Sequence, residues 1–205
     1  MKKQQQNIEK QVLASMKKSG KGKLFFPENF SSLASTAAIR KALQRLTENN
    51  EVVRIAQGIY TIPEIDTLIG PVNPGIEDIA MAIAKRDKAT IVPTGVYALN
   101  RLGLSTQVPL NIVYLTNGAA RKVKIGKQSI KFKKTTPKNL LAKGPISSLV
   151  IQALRAIGKD KVSKQELDKI YILLKKEKPQ HLQHDMKLAP VWIADILKKA
   201  LFIEQ

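Results

Sequence analysis

Hydrophobic positions along this chain change their period several times, and each change marks an element. From Asn7 to about Ser19, Ile8, Val12, Leu13 and Met16 share one side at helical spacing. Pro27, Phe30 and Leu33 fit a short second helix, with proline at a first helical position where its missing N–H is not needed. Ser35 and Thr36 can cap a longer helix by accepting hydrogen bonds from its free backbone N–H groups. Within it Ile39, Leu43 and Leu46 recur at i, i+4 and i+7 and form one buried stripe. Ala38 and Ala42 are small enough to let a neighbouring helix approach, and Asn49-Asn50 stops the helix. EVVRIAQGIYTIP then supplies two short β-prone runs joined near Gln57-Gly58, a hairpin turn.

Helix, turn, longer helix and two-stranded wing together predict an N-terminal winged helix-turn-helix over residues 1–66. PEIDTLIGPVNPG, rich in proline and glycine, reads as the boundary to a second domain over 74–205. There the pattern predicts a helix over 76–86, with Ile79, Ala80, Ile83 and Ala84 inward. A short strand follows, then a helix capped by Thr94 that ends at Gly103. LNIVYLTNG reads as a strand closing on an Asn117-Gly118 turn. RKVKIGKQSIKFKKTT alternates Val123, Ile125, Ile130 and Phe132 with lysines, as a half-buried hairpin turning at Gly126 does. Helices are expected over 146–157, 164–176 and 190–200, with a final strand at Leu201-Phe202-Ile203. The predicted class is α+β: a winged helix followed by a mixed α+β domain that ends in a helical segment.

The polar side of the 35–49 helix carries Thr36, Arg40, Lys41, Gln44 and Arg45, and the wing adds Arg54, Gln57 and Tyr60. Charged and amide donors on one helix suit phosphates and base edges together. A helix so presented is built to lie in the major groove of double-stranded DNA. The competing account, solvated surface charge, is about as good for any single residue and weaker for the set.

Charge adds a second region to this picture. The 205-residue chain holds 35 Lys and Arg against 16 Asp and Glu, a formal net charge of +19, which points to a polyanion. Residues 1–70 hold 11 basic and 6 acidic side chains, so most of the excess lies beyond them. Between Asp87 and Asp160 there are 13 basic residues and no acid. Arg121, Lys122, Lys124, Lys131, Lys133 and Lys134, on the predicted hairpin, are therefore candidates for phosphate contacts. The alternative is a solubilising sheet face, where lysine also blocks edge pairing. No apolar run approaches the ~18 residues of a membrane span. The first ten residues lack a signal core, and cysteine is absent. A cytoplasmic location is the expectation.

The second-domain motifs carry a family likeness. S-x-A-A-I-R-K-A-L-Q-R-L at 35–46, R-x-x-x-G-I-Y-x-x-P at 54–63, P-T-G-V-Y-A-L-N-R-L-G-L-S-T-Q-V-P at 93–109 and Y-L-T-N-G-A-A-R-K-V-K-I-G at 114–126 together resemble AbiEi-like antitoxins. The resemblance covers about residues 7–160. It implies a bacterial antitoxin and transcriptional regulator of a type IV toxin–antitoxin system. Its winged helix would bind inverted repeats in its own promoter, and its second domain would act against a nucleotidyltransferase-like toxin. Motif matching gives the DNA-reader role to Ser35, Thr36, Arg40, Lys41, Gln44 and Arg54, with the basic hairpin 121–134 helping to hold DNA. The chain departs from the pattern in having Asn50-Glu51 where glycine is expected after the recognition helix.

Other chemistries fit less well. Gly58-Ile59-Tyr60 with Leu68-Ile69-Gly70 faintly matches the GIY-YIG nucleases, but the second motif lacks its tyrosine and Glu77 lacks a companion arginine. His181 and His184 share a helical face with Asp185 nearby, yet no third ligand joins them, so surface histidines are the better account. Gly20-Lys21-Gly22-Lys23 lacks phosphate-loop spacing, and Trp192 sits among aliphatic residues as core. No catalytic constellation, metal site or cofactor is expected. Two further classes stay open beside the DNA-binding reading: an interaction protein that neutralises a toxin by direct binding, and a general RNA binder. Aromatic residues are only 5% of the chain, which leaves few stacking platforms for the latter.

Overall fold

A computed structural model describes residues 2–202 and shows an α+β fold. It divides into two compact units, Met1–Ile83 with Val123–Gly126 and Ala84–Lys122 with Lys127–Gln205, so the division falls inside a helix rather than in the proline-rich segment.

In the first unit α1 (Lys2–Ser19) leads to β1 (Leu24–Phe25) and a 3-10 turn over Pro27–Phe30. Asn29 Oδ1 accepts from Phe26 N–H at 2.7 Å and so caps the start of this turn. Next come α2 (Thr36–Glu48), β2 (Val53–Ala56) and β3 (Ile59–Thr61). β1, which the periodicity did not predict, pairs antiparallel with β3 and completes a three-stranded sheet of order β1-β3-β2. Val12, Met16, Phe25, Phe30, Ile39, Leu43, Leu46, Val52 and Tyr60 form its buried core. Ile39 and Leu43 are fully buried, each worth about 2 kcal/mol by apolar area.

The end of α2 shows why no glycine is needed there. Asn50 takes φ +59°, a left-handed conformation that asparagine tolerates better than most residues. Asn50 N–H reaches Thr47 O at 3.1 Å and Glu51 N–H reaches Leu46 O at 2.9 Å, which satisfies the last carbonyls of the helix. The β2–β3 connection turns through Gly58 at φ +72°.

The proline-rich segment is a structured hairpin, β4 (Glu64–Asp66) with β5 (Gly70–Val72). Asp66 organises its turn by accepting from Leu68 N–H at 2.8 Å and Ile69 N–H at 3.1 Å, and these bonds hold its carboxyl below the ordinary range. α3 (Ile76–Arg86) follows with the predicted bounds.

A four-stranded sheet of order β6-β7-β9-β8 is built from β6 (Ile91–Thr94), β7 (Asn111–Thr116), β8 (Arg121–Ile125, of which Val123–Ile125 is counted in the first unit) and β9 (Gln128–Lys134). β9 thus lies between β7 and β8 and runs parallel to β7, with Ile112 beside Ile130 and Tyr114 beside Phe132. The hairpin signal at Gly126 located both strands but not this insertion. α4 (Val96–Arg101) starts after Gly95; Thr94 does not cap it, because its hydroxyl is hydrogen-bonded to Gln152 Oε1 at 3.3 Å. Then come α5 (Pro145–Ile157), α6 (Lys164–Leu174), α7 (Pro179–Met186) and α8 (Val191–Phe202). α7 had no counterpart in the sequence expectation; Pro179 occupies its first turn and starts it. Leu201 and Phe202 belong to α8 rather than to a strand, and Ile203 lies outside the described residues. Val150, Leu154, Ile170, Leu174, Ile193 and Leu197 are among the fully buried members of the second unit's helical core.

Candidate nucleic-acid interface

α2 separates its faces cleanly. Ile39, Ala42, Leu43 and Leu46 are buried, and Thr36, Arg40, Lys41 and Gln44 are exposed on the other side. Ser35 caps the helix, its hydroxyl accepting from Ala38 N–H at 3.4 Å. Gln44 donates to Glu48 Oε1 at 2.9 Å, a bond between exposed groups that water can replace. Arg54 on β2 and Gln57 at the following turn are exposed as well. Two residues of this region have other employment. Arg45 is half-buried and ion-paired with Glu9 of α1 at 2.6 Å, so it ties the two helices together. Tyr60 is 6% exposed and packs in the core, not on the exposed surface of the β2–β3 hairpin.

The second candidate region divides by strand alternation. Arg121 stacks its guanidinium over the Phe132 ring, 5.4 Å from the centroid, which puts it on the Phe132 side of the sheet. Lys122 therefore projects from the opposite side, together with Lys131 and Lys133, whose neighbours on β9 are the buried Ile130 and Phe132. Lys124, two residues on along β8, shares the face of Lys122, and all four lysines are exposed. Lys134 does not join them: it lies beside Thr116, on the Phe132 side. Arg121 does not either. It is ion-paired with Asp87, the acid that opens the long acid-free stretch, and burial with the nearby Arg86 lowers its pKa.

Residues 11–182 match the family of unknown function DUF6088. The chain belongs to this family. No curated protein matches it. No helix among the described residues of this DUF6088 member is long and apolar enough to cross a membrane.

One polar cluster was invisible in the sequence. Asp185 of α7 is 0% exposed and accepts from Lys143 N–H and Gly144 N–H, each at 2.9 Å, from Ser147 Oγ at 2.6 Å and from His184 Nδ1 at 2.7 Å. Burial opposes its ionisation, but these hydrogen bonds outweigh it and hold the carboxyl below its ordinary range. Glu177, 7% exposed, accepts from Ile146 N–H at 2.8 Å and Ser147 N–H at 3.2 Å. Two carboxylates thus close the N-terminus of α5, where unpaired N–H groups and the helix dipole favour negative charge. Gly144 permits this approach, because an added Cβ would fall on Ser147 Oγ and the Glu177 carboxylate. His181 and His184 are half-buried partners of Glu177 and Asp185 rather than free surface histidines. The contacts join residues 30 to 42 apart in sequence, and no local pattern announces such pairs.

Proposed function

We propose that this protein is a sequence-specific DNA-binding regulator that represses its own operon. The observation that carries the reading is the exposed face of α2, where Thr36, Arg40, Lys41 and Gln44 stand clear of the core with no carboxylate among the described residues tied to either cation. Helix, strand, short turn, helix and hairpin, closed by a β1-β3-β2 sheet, is the order of a winged helix-turn-helix, with α2 as its recognition helix. In that reading α2 enters the major groove, Arg40 and Gln44 reach base edges, and Lys41, Arg54 and Gln57 hold phosphates. Lys122, Lys124, Lys131 and Lys133 supply a second, sequence-independent cationic face. Arg45 and Arg121 stay structural.

The resemblance to AbiEi-like antitoxins adds the second half of the proposal, an antitoxin role against a nucleotidyltransferase-like toxin, with the protein acting in the bacterial cytoplasm. The DNA-binding half is tested by titrating fluorescent duplex from upstream of the gene, and a scrambled duplex of equal length, at one salt concentration. A regulator of this kind prefers its site by about 10³-fold or more. Equal affinity for both duplexes would remove sequence-specific regulation and leave a general polyanion binder.

A further inference from the structure

A cleft in the second unit, half-open to solvent, is lined by Lys138, Asn139, Ser148, Gln152 and Arg155 and by three aliphatic residues. No carboxylate contributes to it. Arg155 projects from the last turn of α5 and donates through Nη1 to Asn139 Oδ1 at 2.6 Å. Among the described residues that amide oxygen is its sole partner, so a half-buried cation has no counter-charge from the protein. Burial lowers the pKa of Arg155, which marks the desolvation it bears, yet a guanidinium keeps its charge in proteins.

The neighbouring groups complete a one-sided chemistry. Gln152 is 4% exposed and its Oε1 is taken by Thr94, which leaves its amide N–H groups as the available function. Asn139 Oδ1 is taken by Arg155, and its Nδ2 donates to Thr135 and Thr136. Ser148 has a free hydroxyl among the described residues, and Lys138 is exposed at the rim. Both amide oxygens are engaged within the protein, and what remains is amide N–H groups, one hydroxyl and positive charge. We propose that this cleft binds an oxyanion, a single phosphate group, through Arg155, Lys138, Gln152 and Ser148. The cleft is half-open to solvent, so it would hold one anionic group against its wall rather than enclose an entire nucleotide. Planar N–H donors of arginine match phosphate oxygens in pairs, which a lysine cannot reproduce. The proposal is independent of the α2 reading.

The test is an NMR titration of the full chain with inorganic phosphate, comparing wild type with Lys138→Glu, Gln152→Glu and Arg155→Lys. Wild type is expected to show saturable amide shifts confined to residues 138–142 and 148–155. Lys138→Glu changes an exposed side chain and leaves the fold intact; it should weaken binding about tenfold or more, and Gln152→Glu should abolish it. Two further probes separate the sources of the phosphate. Displacement by a 5′-phosphorylated but not an unphosphorylated oligonucleotide supports a terminal phosphomonoester, and displacement by both supports a backbone diester. Absence of saturable shifts in wild type up to tens of millimolar phosphate, or an unchanged titration in Lys138→Glu, would overturn the site.

Discussion

Two helix N-termini in this molecule are finished in opposite ways. α5 begins inside a closed cradle, where Glu177 and Asp185 take up its N–H groups and the side chain of Ser147. α2 begins at an exposed Ser35 with one long hydrogen bond, and Thr36, Arg40, Lys41 and Gln44 follow on its open side. Carboxylates that satisfy a helix end also repel any external anion from it. The closed end therefore belongs to stability and the open one is available to a polyanion. A similar division runs through the cations: Arg45 and Arg121 are tied to Glu9 and Asp87, whereas Arg40, Arg54 and the sheet lysines face water.

Breaking the closed end should produce the largest change. Asp185→Ala leaves two backbone N–H groups and a hydroxyl without their acceptor, and we expect a loss of about 3 kcal/mol in chemical denaturation. Folded protein of this variant should bind operator DNA as wild type does. Acid offers the same probe without mutation. Because the Asp185 pKa is depressed in the folded state, its stabilisation is complete above the ordinary carboxylate value of 3.8 and is lost as pH falls below that toward the folded value. Denaturation midpoints should drop in that window in wild type, and by less in Asp185→Asn. An equal drop in both would assign the acid sensitivity to other groups.

At the open end the effects should appear in binding. Arg40→Ala is expected to lower operator affinity by about 1–3 kcal/mol while folding stability moves by less than about 0.5 kcal/mol. Ser35→Ala removes the only side-chain cap of α2 and should cost about 1 kcal/mol of stability. Smallest per residue is the sheet face. Each of Lys122, Lys124, Lys131 and Lys133 replaced by Gln should reduce the slope of log affinity against log salt by about 0.9 if it holds a phosphate, with site preference retained. A slope equal to wild type in the quadruple variant would leave these lysines as solvated surface.

How much of this was legible beforehand follows the range of the interactions. α2, the β2–β3 hairpin and α3 rest on local periodicity and turn chemistry, and they lie within a residue or two of their expected bounds. The exposed cations of α2 were legible for the same reason, since a buried stripe fixes the opposite face. What stayed hidden depends on distant partners. β9 enters between β7 and β8 although it follows β8 in the chain, and nothing local dictates that register. Arg45 and Arg121 read as free cations because Glu9 and Asp87 lie 36 and 34 residues away. Histidines at 181 and 184 suggested a metal or plain surface, whereas the acids beside them hold the start of a helix far along the chain. Proline and glycine between Pro63 and Gly75 suggested a domain boundary, and within it Asp66 and Gly70 make a defined turn.

We propose that the open face of α2 reads bases. The most direct test of this claim is a base-preference profile, measured by selecting bound duplexes from a library randomised across the operator, for wild type and Arg40→Ala at the same salt. The claim predicts that preference is lost at one base position and kept at the others. A profile identical to wild type, or a uniform weakening with every preference intact, would contradict it.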